Sequence, residues 1–271
     1  MASQVNKHGL PRRIPSHIKR EIRQRCGFGC VICGFGFYDY EHFDPDFVDA
    51  KAHSPEGMTL LCSQCNQKRA RKRLSAATVA AANANPKCLQ QGFTSELFDF
   101  GLNPIEVNFA GNQFIDCKHI IEINGTPILS LTPPKQEGQA FLISGIFTDE
   151  LGRVALTIQD NVWQARASNW DIECEGPRIT VRTASRNVAL QLYLEPEASR
   201  LTIEKIDMEF ERVRLNGTLD SLQMSIHEQG WNTISECSMR SCFCGISIQS
   251  GPRVANDPIF DIEEPNLHTA R

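Results

Sequence analysis

The chain has 271 residues, of which 41% are hydrophobic and 22% charged, and it contains 11 cysteines. These values exclude a collagen-like chain, a disordered chain and a disulfide-rich miniprotein, and they favour a globular protein of one or two domains. No stretch approaches the roughly 20 apolar residues that a membrane-spanning helix needs, and no signal-peptide core follows the basic N-terminus. We therefore expect a cytoplasmic protein without membrane contact, whose reduced cysteines serve as metal ligands or as small buried side chains.

Charge is distributed unevenly along the chain. The formal net charge is -4, but residues 1–75 carry 13 Lys and Arg against 7 Asp and Glu, whereas residues 76–271 carry 15 against 25. The first part therefore has a net charge of +6 and the second of -10. A small basic unit joined to a larger acidic one predicts that the first part contacts a polyanion while the second has another role.

Residues 13–25 have the pattern of an amphipathic helix. Pro15 suits a first-turn position, and Ile14, Ile18 and Ile22 recur every four residues between charged side chains. The following segment, to Cys65, alternates Gly, Cys, aromatic and acidic residues without a helical period. This composition indicates short strands and tight loops held by a metal ion.

A second helix is predicted to begin near Ser63. It carries a run of basic side chains, and the Ala-rich residues 75–82 either continue it or restart it with Ser75 as N-cap. The sequence Asn83-Ala84-Asn85-Pro86 ends the helical pattern. Residues 86–104 mix Gly, Asn, Ser and Pro, which predicts a linker between an N-terminal module (1–85) and a second domain (105–250).

The second domain has the pattern of an all-β fold. Short β-branched or alternating runs are separated by turn signals such as Asn124-Gly125 and Asn216-Gly217. We predict strands at 114–123, 128–131, 141–148, 154–159, 170–174, 178–182, 188–194, 201–206, 210–215 and 222–226. The complete chain is thus expected to be α+β, with an antiparallel β-sandwich, or a β-roll as second choice, after the small module. The Pro-rich and acidic tail, 251–271, is predicted to be disordered.

Two Cys-x-x-Cys motifs stand in the N-terminal module. Cys30 and Cys33 form one, and Cys62 and Cys65 form the other. Four thiolates from two such motifs complete the tetrahedral shell of a structural Zn²⁺, which this spacing favours over four buried free thiols. The 28 residues between Cys33 and Cys62 exceed the separation of about 15 to 20 in a simple zinc ribbon, so the loop must contain something more.

This loop and its end supply Glu41, His42, His53 and Asn66. A metal-dependent phosphodiesterase needs a general base and a hard divalent cation, held by oxygen or imidazole ligands that leave room for substrate. Glu41 and His42 are adjacent, and neighbouring side chains of a strand point to opposite faces. Only a twist or a strand end would let both address one site. His53 and Asn66 could otherwise be an ordinary loop histidine and a residue that caps a helix.

The segment from Arg25 to Leu74 resembles the HNH endonuclease family. The resemblance rests on the cysteine pairs, on Glu41-His42 and on Leu60-Leu61-Cys62-x-x-Cys65-Asn66 followed by basic residues. It implies a zinc-bound ββα-metal fold, His42 as general base, and Glu41 and Asn66 as ligands of one catalytic Mg²⁺ or Mn²⁺. It also implies DNA as substrate, with RNA not excluded, and products with 5′-phosphate and 3′-hydroxyl ends. Gly57 stands where the family usually has asparagine, and His53 could take over the orienting role or act as a further metal ligand.

The basic run consists of Lys68, Arg69, Arg71, Lys72 and Arg73. In most proteins such a run is a solvated helix face. Because it begins two residues after Asn66, it would place cations along the backbone of a bound strand without reading its sequence. A non-catalytic, zinc-stabilised nucleic-acid-binding adaptor, with a β-domain that binds another protein, is the alternative hypothesis. The partner or oligomeric role of the β-domain itself is not predicted.

A second group of cysteines comprises Cys237, Cys242 and Cys244. The spacing lacks a convincing fourth ligand, His227 being the one nearby candidate. Buried thiols are therefore favoured over a second metal site.

Overall fold

A computed structural model describes residues 5–251 of the chain. Helix α1 (Ser16–Cys26) begins after Pro15, buries Ile22 and Cys26, and ends at Gly27, whose φ of 71° closes the helix in the left-handed conformation. The helix predicted for residues 13–25 is confirmed, but it begins three residues later and ends one residue later than predicted. None of the described helices is long and apolar enough to cross a membrane.

Two short strands and a helix follow α1. Strand β1 (Asp39–His42) pairs antiparallel with β2 (Met58–Leu61), with His42 opposite Met58. Helix α2 (Ser63–Ala70) starts directly after β2, as predicted. Helix α3 (Ala76–Ala84) restarts after Ser75, whose side chain accepts a hydrogen bond of 3.0 Å from the Thr78 amide. Of the two predicted arrangements of this segment, the restart with Ser75 as N-cap is therefore correct.

Helix α4 (Lys87–Gln91) precedes the strands of the β-rich part. The described strands there are β3 (Phe93–Leu97), β4 (Glu106–Phe109), β5 (Asn112–Ile123), β6 (Thr126–Thr132), β7 (Leu142–Thr148), β8 (Val154–Gln159), β9 (Val162–Arg166), β10 (Asp171–Glu175), β11 (Arg178–Ala184), β12 (Asn187–Glu195), β13 (Arg200–Phe210), β14 (Val213–Gly217), β15 (Leu222–Ile226), β16 (Asn232–Ile234) and β17 (Ser238–Ile248). The prediction of a β-rich second part is confirmed.

These fifteen described strands form one curled sheet rather than the two separate sheets of the predicted antiparallel sandwich. Strand β5 explains the difference. Its first residues pair with β4 and its last with β6, while β17 runs parallel along its other edge. At Asp116, between the two parts, φ is +54°, and a strand that bends in this way carries one sheet around a common core. Most neighbours are antiparallel, but β4–β13 and β5–β17 are parallel.

One predicted strand and the predicted linker differ from the structure for identifiable reasons. The strand predicted at 210–215 crosses a hairpin turn, because Glu211 and Arg212 adopt φ values of 47° and 65° without a glycine to mark the turn. The predicted linker, 86–104, contains α4 and β3, and β3 pairs with β9 in the large sheet. Its aromatic residues Phe98 and Phe100 are buried, so the segment belongs to the packed structure despite its turn-forming composition. Most of the predicted tail, 252–271, lies outside the described residues.

The N-terminal helix is joined to the large sheet through Arg23. Its guanidinium is 1% exposed and donates hydrogen bonds of 2.8 and 2.6 Å to the fully buried carboxylate of Asp171 in β10. It also donates to Glu173 at 2.9 Å and to the hydroxyl of Tyr40 in β1 at 2.8 Å. Nearby, Arg20 lies over the Trp170 ring, 4.8 Å from its centroid. One buried cation thus connects α1, β1 and β10.

Replacing Asp171 with Asn should destabilise the protein strongly. Loss of one partner of a buried ion pair leaves an uncompensated charge and costs about 3–5 kcal/mol. The loss would be measured as the change in the free energy of unfolding, obtained from denaturant titration monitored by tryptophan fluorescence.

The exposed pair of Lys7 and Asp49 provides a control, because Lys7→Met should change stability little. The double variant Arg23→Met/Asp171→Leu should recover much of the loss, because no charge then remains fully buried and the carboxylate left without its partner, that of Glu173, is partly exposed. Wild-type stability of Asp171→Asn would contradict the role assigned to Arg23.

Candidate functional site

The four cysteines of the two Cys-x-x-Cys motifs lie together. The sulfur of Cys33 is 3.6 Å from that of Cys62 and 4.0 Å from that of Cys65. All four sulfurs, including that of Cys30, lie within 4.8 Å of one another, and only Cys33 is exposed. Cys62 caps α2, and its sulfur accepts a hydrogen bond of 3.4 Å from the Cys65 amide.

This spacing fits a tetrahedral metal site. Four sulfurs bound at about 2.3 Å to one Zn²⁺ lie about 3.8 Å apart, which is between the two sulfur–sulfur distances observed for Cys33. The cluster could therefore hold a metal ion such as zinc. It would fix the loop after α1 to the start of α2.

The ionisation of the thiols also favours a cation. A hydrogen bond from Cys33 lowers the pKa of Cys30 to about 5, and the same contact raises the pKa of Cys33 above its ordinary value. Burial raises the pKa of Cys65 to about 12. A thiolate on one sulfur thus opposes ionisation of its neighbours, and a bound cation removes this conflict.

Glu41 faces α2. Asn66 donates a hydrogen bond from Nδ2 to Oε1 of Glu41, and Nη1 of Arg69 lies 3.9 Å from Oε2. Arg69 also donates to the carboxylate of Asp46 in the loop after β1. Burial raises the pKa of Glu41, while the Asn66 hydrogen bond and the Arg69 charge oppose this shift. The structure therefore brings Glu41 and Asn66 into direct contact.

His42 faces the opposite side of β1, where the loop between β1 and β2 folds over it. Its Nε2 lies 3.0 Å from Nδ1 of His53, and Nε2 of His53 lies 2.9 Å from the carbonyl oxygen of Pro11. A carbonyl oxygen can only accept, so Nε2 of His53 carries the proton and Nδ1 of neutral His53 must accept. His42 consequently donates from Nε2, and its Nδ1 retains the lone pair.

The environment disfavours the charged form of the His42 imidazole. The ring is 7% exposed and packs against Phe47 at a centroid distance of 5.5 Å. Burial, and then the charge of a protonated His53, lower the pKa of His42 below its ordinary value. Asn6 supports this loop by donating to the carbonyl oxygens of Phe47 and Ala50 at 2.6 and 2.7 Å. Residues of the N-terminal segment thus hold the His42–His53 pair in place.

Gly57 has no room for a side chain. A Cβ atom at this position would lie 2.1 Å from the carbonyl oxygen of Asp44. Its own carbonyl oxygen accepts hydrogen bonds from the amides of Phe43 and Asp44 at 3.0 and 3.3 Å. The backbone of Gly57 therefore closes the end of the β1–β2 pair, and the contact to His42 comes from His53.

The basic run does not form one helix face. Helix α2 ends at Ala70, and Lys72 has a φ of 58°, so the second half of the run lies in the turn before α3. Lys68, Arg71, Lys72 and Arg73 are exposed. Arg69 is held by Asp46 and Glu41, which leaves its guanidinium less available to a ligand than those of its neighbours.

The predicted site residues thus form two contacts on opposite sides of β1: Glu41 with Asn66, and His42 with His53. Among residues 5–251, the cysteine cluster is the one group of at least three Cys, His, Asp or Glu side chains whose ligand atoms all lie within 4.8 Å. Glu41, His42 and His53 do not form such a group, so the structure lends no support to His53 as a further metal ligand.

Sequence reasoning missed several groups that shape this region. The Pro11 carbonyl, Asp46 beside Arg69, and Arg23 beneath Tyr40 are each far along the chain from the residues they contact. No local pattern marks such pairs. Comparison with family models, with curated proteins and with solved structures found no match to this chain.

Replacing Cys33 with Ser should remove the metal-binding capacity of the cluster. Cys33 is the exposed member, so the change disturbs packing little while removing one of four ligands. We expect about one zinc ion per wild-type chain by elemental analysis and a clear loss in the variant.

Cys88→Ser is the matched control, because Cys88 is a buried free thiol outside the cluster. Its zinc content should equal that of the wild type. Equal zinc in Cys33→Ser and wild type would show that the four cysteines are not the metal site.

Proposed function

We propose that the chain is a metal-dependent endonuclease of the HNH type that hydrolyses DNA phosphodiester bonds. The observation that carries the proposal is the pair of neighbouring residues Glu41 and His42. The buried His42 contacts His53 through its Nε2, and Glu41 accepts a hydrogen bond from Asn66. Of these, Glu41, His42 and Asn66 are residues on which the sequence resemblance rests. Support also comes from the order of β1, β2 and α2, which matches the ββα arrangement that the resemblance implies.

His42 would serve as the general base. Its neutral state and its lone pair on Nδ1 are what a base needs in order to take a proton from the attacking water. Within residues 5–251 no hydrogen bond occupies Nδ1, whereas the bond to His53 restrains the ring from the other side. In this proposal His53 is a positioning residue that acts in the place of the asparagine usual in the family.

Glu41 and Asn66 would provide the protein ligands for one Mg²⁺ or Mn²⁺. A carboxylate and an amide oxygen are hard ligands, and such ions take their remaining ligands from water and substrate phosphate. When bound, the ion would neutralise charge that develops on the phosphate. The Asn66–Glu41 hydrogen bond brings the two side chains together, and rotation of the Asn66 amide would present its oxygen.

The exposed cations after Asn66 would hold the DNA backbone. Lys68, Arg71, Lys72 and Arg73 extend from the end of α2 into the turn that follows. Contacts of this kind neutralise phosphates without reading bases and weaken as salt rises. The zinc of the cysteine cluster would be structural, since it joins the loop after α1 to the helix that carries Asn66.

Two observations favour the alternative, a non-catalytic adaptor that binds nucleic acid. Arg69 already balances the charge of Glu41, and Glu41 lies on the opposite side of β1 from His42 and forms no compact ligand group with the two histidines among the described residues. In that case the basic surface would bind phosphates and no bond would be cut. The two functions differ in whether a hard divalent cation is needed for turnover.

Cleavage of supercoiled plasmid by the zinc-loaded protein, with and without added Mg²⁺ or Mn²⁺, tests the proposal. We expect nicking with the divalent cation and a loss of at least about 100-fold in His42→Ala, in line with the usual contribution of a general base. His17→Ala, a change at an exposed histidine of α1, is the matched control and should cut normally.

Gel-shift binding measured in parallel separates the alternatives. His42→Ala should bind DNA as tightly as the wild type while failing to cut it. Binding without cleavage by the wild type under both cations would favour the adaptor, and cleavage by His42→Ala at the wild-type rate would exclude His42 as the base.

A further inference from the structure

Strands β5 and β17 bring two cysteines from distant parts of the chain into contact. Cys117 and Cys242 are paired residues of these parallel strands, and their sulfurs are 2.8 Å apart. Cys117 is 2% exposed, whereas Cys242 is only partly buried. The sequence groups Cys242 with Cys237 and Cys244, but the sulfurs of those two contact the carbonyl oxygens of Ser235 and Ile246 instead.

The backbone before each cysteine holds the pair together. Asp116 and Ser241 adopt φ values of 54° and 49°, so both strands bend at the same level and the pairing continues beyond them. The Ser241 hydroxyl donates to Oδ2 of Asp116 at 2.9 Å, which ties the two bends to each other. The two thiols are thus presented to one another by matching irregularities in neighbouring strands.

The spacing distinguishes this pair from a metal site. Sulfurs that share a tetrahedral zinc ion lie about 3.8 Å apart, as in the cluster around Cys33. A separation of 2.8 Å is too short for that and lies nearer the disulfide bond length of about 2.05 Å. Neighbouring strands, at about 4.8 Å, also lie within the Cα separations of about 4.4–6.8 Å that a disulfide spans.

We propose that Cys117 and Cys242 form a reversible redox-modification site, a dithiol that hydroperoxides oxidise to a cross-strand disulfide between β5 and β17. This site is separate from the candidate nuclease residues and does not depend on the nuclease proposal. The bond would tie β17, the last described strand, covalently to the strand at which the sheet bends.

The reaction proceeds in two balanced steps. The Cys242 thiolate, the more accessible sulfur, attacks a peroxide oxygen; an S–O bond forms, the O–O bond breaks, and the alcohol, or water from hydrogen peroxide, departs with a proton. The Cys117 sulfur then attacks the sulfenic acid, the S–S bond forms and water leaves with the thiol proton. Two thiols are oxidised and one peroxide is reduced. Burial raises the pKa of Cys242 to about 11, so the first step is slow near neutral pH.

Peptide mapping of the complete, zinc-loaded protein after hydrogen peroxide treatment tests the proposal. Free thiols are alkylated, the protein is digested in the absence of reductant, and tandem mass spectrometry assigns the cross-link. We expect a peptide pair joined between Cys117 and Cys242 that dithiothreitol separates. Cys244→Ser, which leaves the pair intact, should still form the cross-link, and Cys242→Ser should not. The half-buried Cys242 is chosen for replacement because removing the buried Cys117 could disturb folding.

A second readout follows the same samples. Oxidation should raise the guanidinium midpoint of unfolding in wild type and Cys244→Ser, because a cross-link restricts the unfolded chain. The midpoint of oxidised Cys242→Ser should be lower than that of the oxidised wild type. Recovery of Cys117 and Cys242 as alkylated thiols after oxidation of the folded protein would overturn the proposal. So would a cross-link of Cys117 to Cys237 or Cys244.

Discussion

The buried guanidinium of Arg23 is the contact on which the arrangement of the protein depends. It satisfies the fully buried Asp171 from the large sheet and at the same time donates to Tyr40, which directly precedes Glu41 on β1. A charge enclosed in this way is tolerated only with its partners in place, so α1, β1 and β10 have one mutual position that avoids a large penalty. The strand that carries Glu41 and His42 is consequently set against the β-rich part, and the acidic sheet helps to support the basic module.

The candidate site is built outward from this strand. On one side Glu41 meets the helix that begins at the cysteine cluster, and on the other His42 meets a loop supported by the N-terminal segment. The cysteines and Arg23 therefore both hold the small module in place, while the hydrogen bonds between side chains decide the state of each functional group. The tautomer of His42, for example, follows from a carbonyl oxygen two contacts away, at Pro11.

Local features of the sequence predicted a good part of the N-terminal module. The cysteine spacing, the helix start at Ser63 and the cap at Ser75 depend on residues close together in the chain, and the structure confirms that the cysteines cluster and that the helices begin there. The pairs Arg23–Asp171 and Cys117–Cys242 are 148 and 125 residues apart and have no local signature. The bend of β5, which turns a predicted sandwich into one curled sheet, depends on partners on both of its edges. Strand β17 was missed because its Ser, Cys and Gly residues interrupt the alternation that identifies a strand.

The pH dependence of DNA cleavage tests the central claim, that a neutral His42 oriented by His53 is the base, most directly. Because burial and then the neighbouring His53 lower the pKa of His42, the wild-type rate should fall at a lower pH than an ordinary histidine would give. His53→Ala removes the neighbouring imidazole and admits water, and both changes raise the pKa of His42. The acidic limb of the rate profile should therefore move to higher pH and the maximal rate should fall, while His53→Gln, which retains an acceptor, should recover much of the rate. Identical acidic limbs for wild type and His53→Ala would contradict the account.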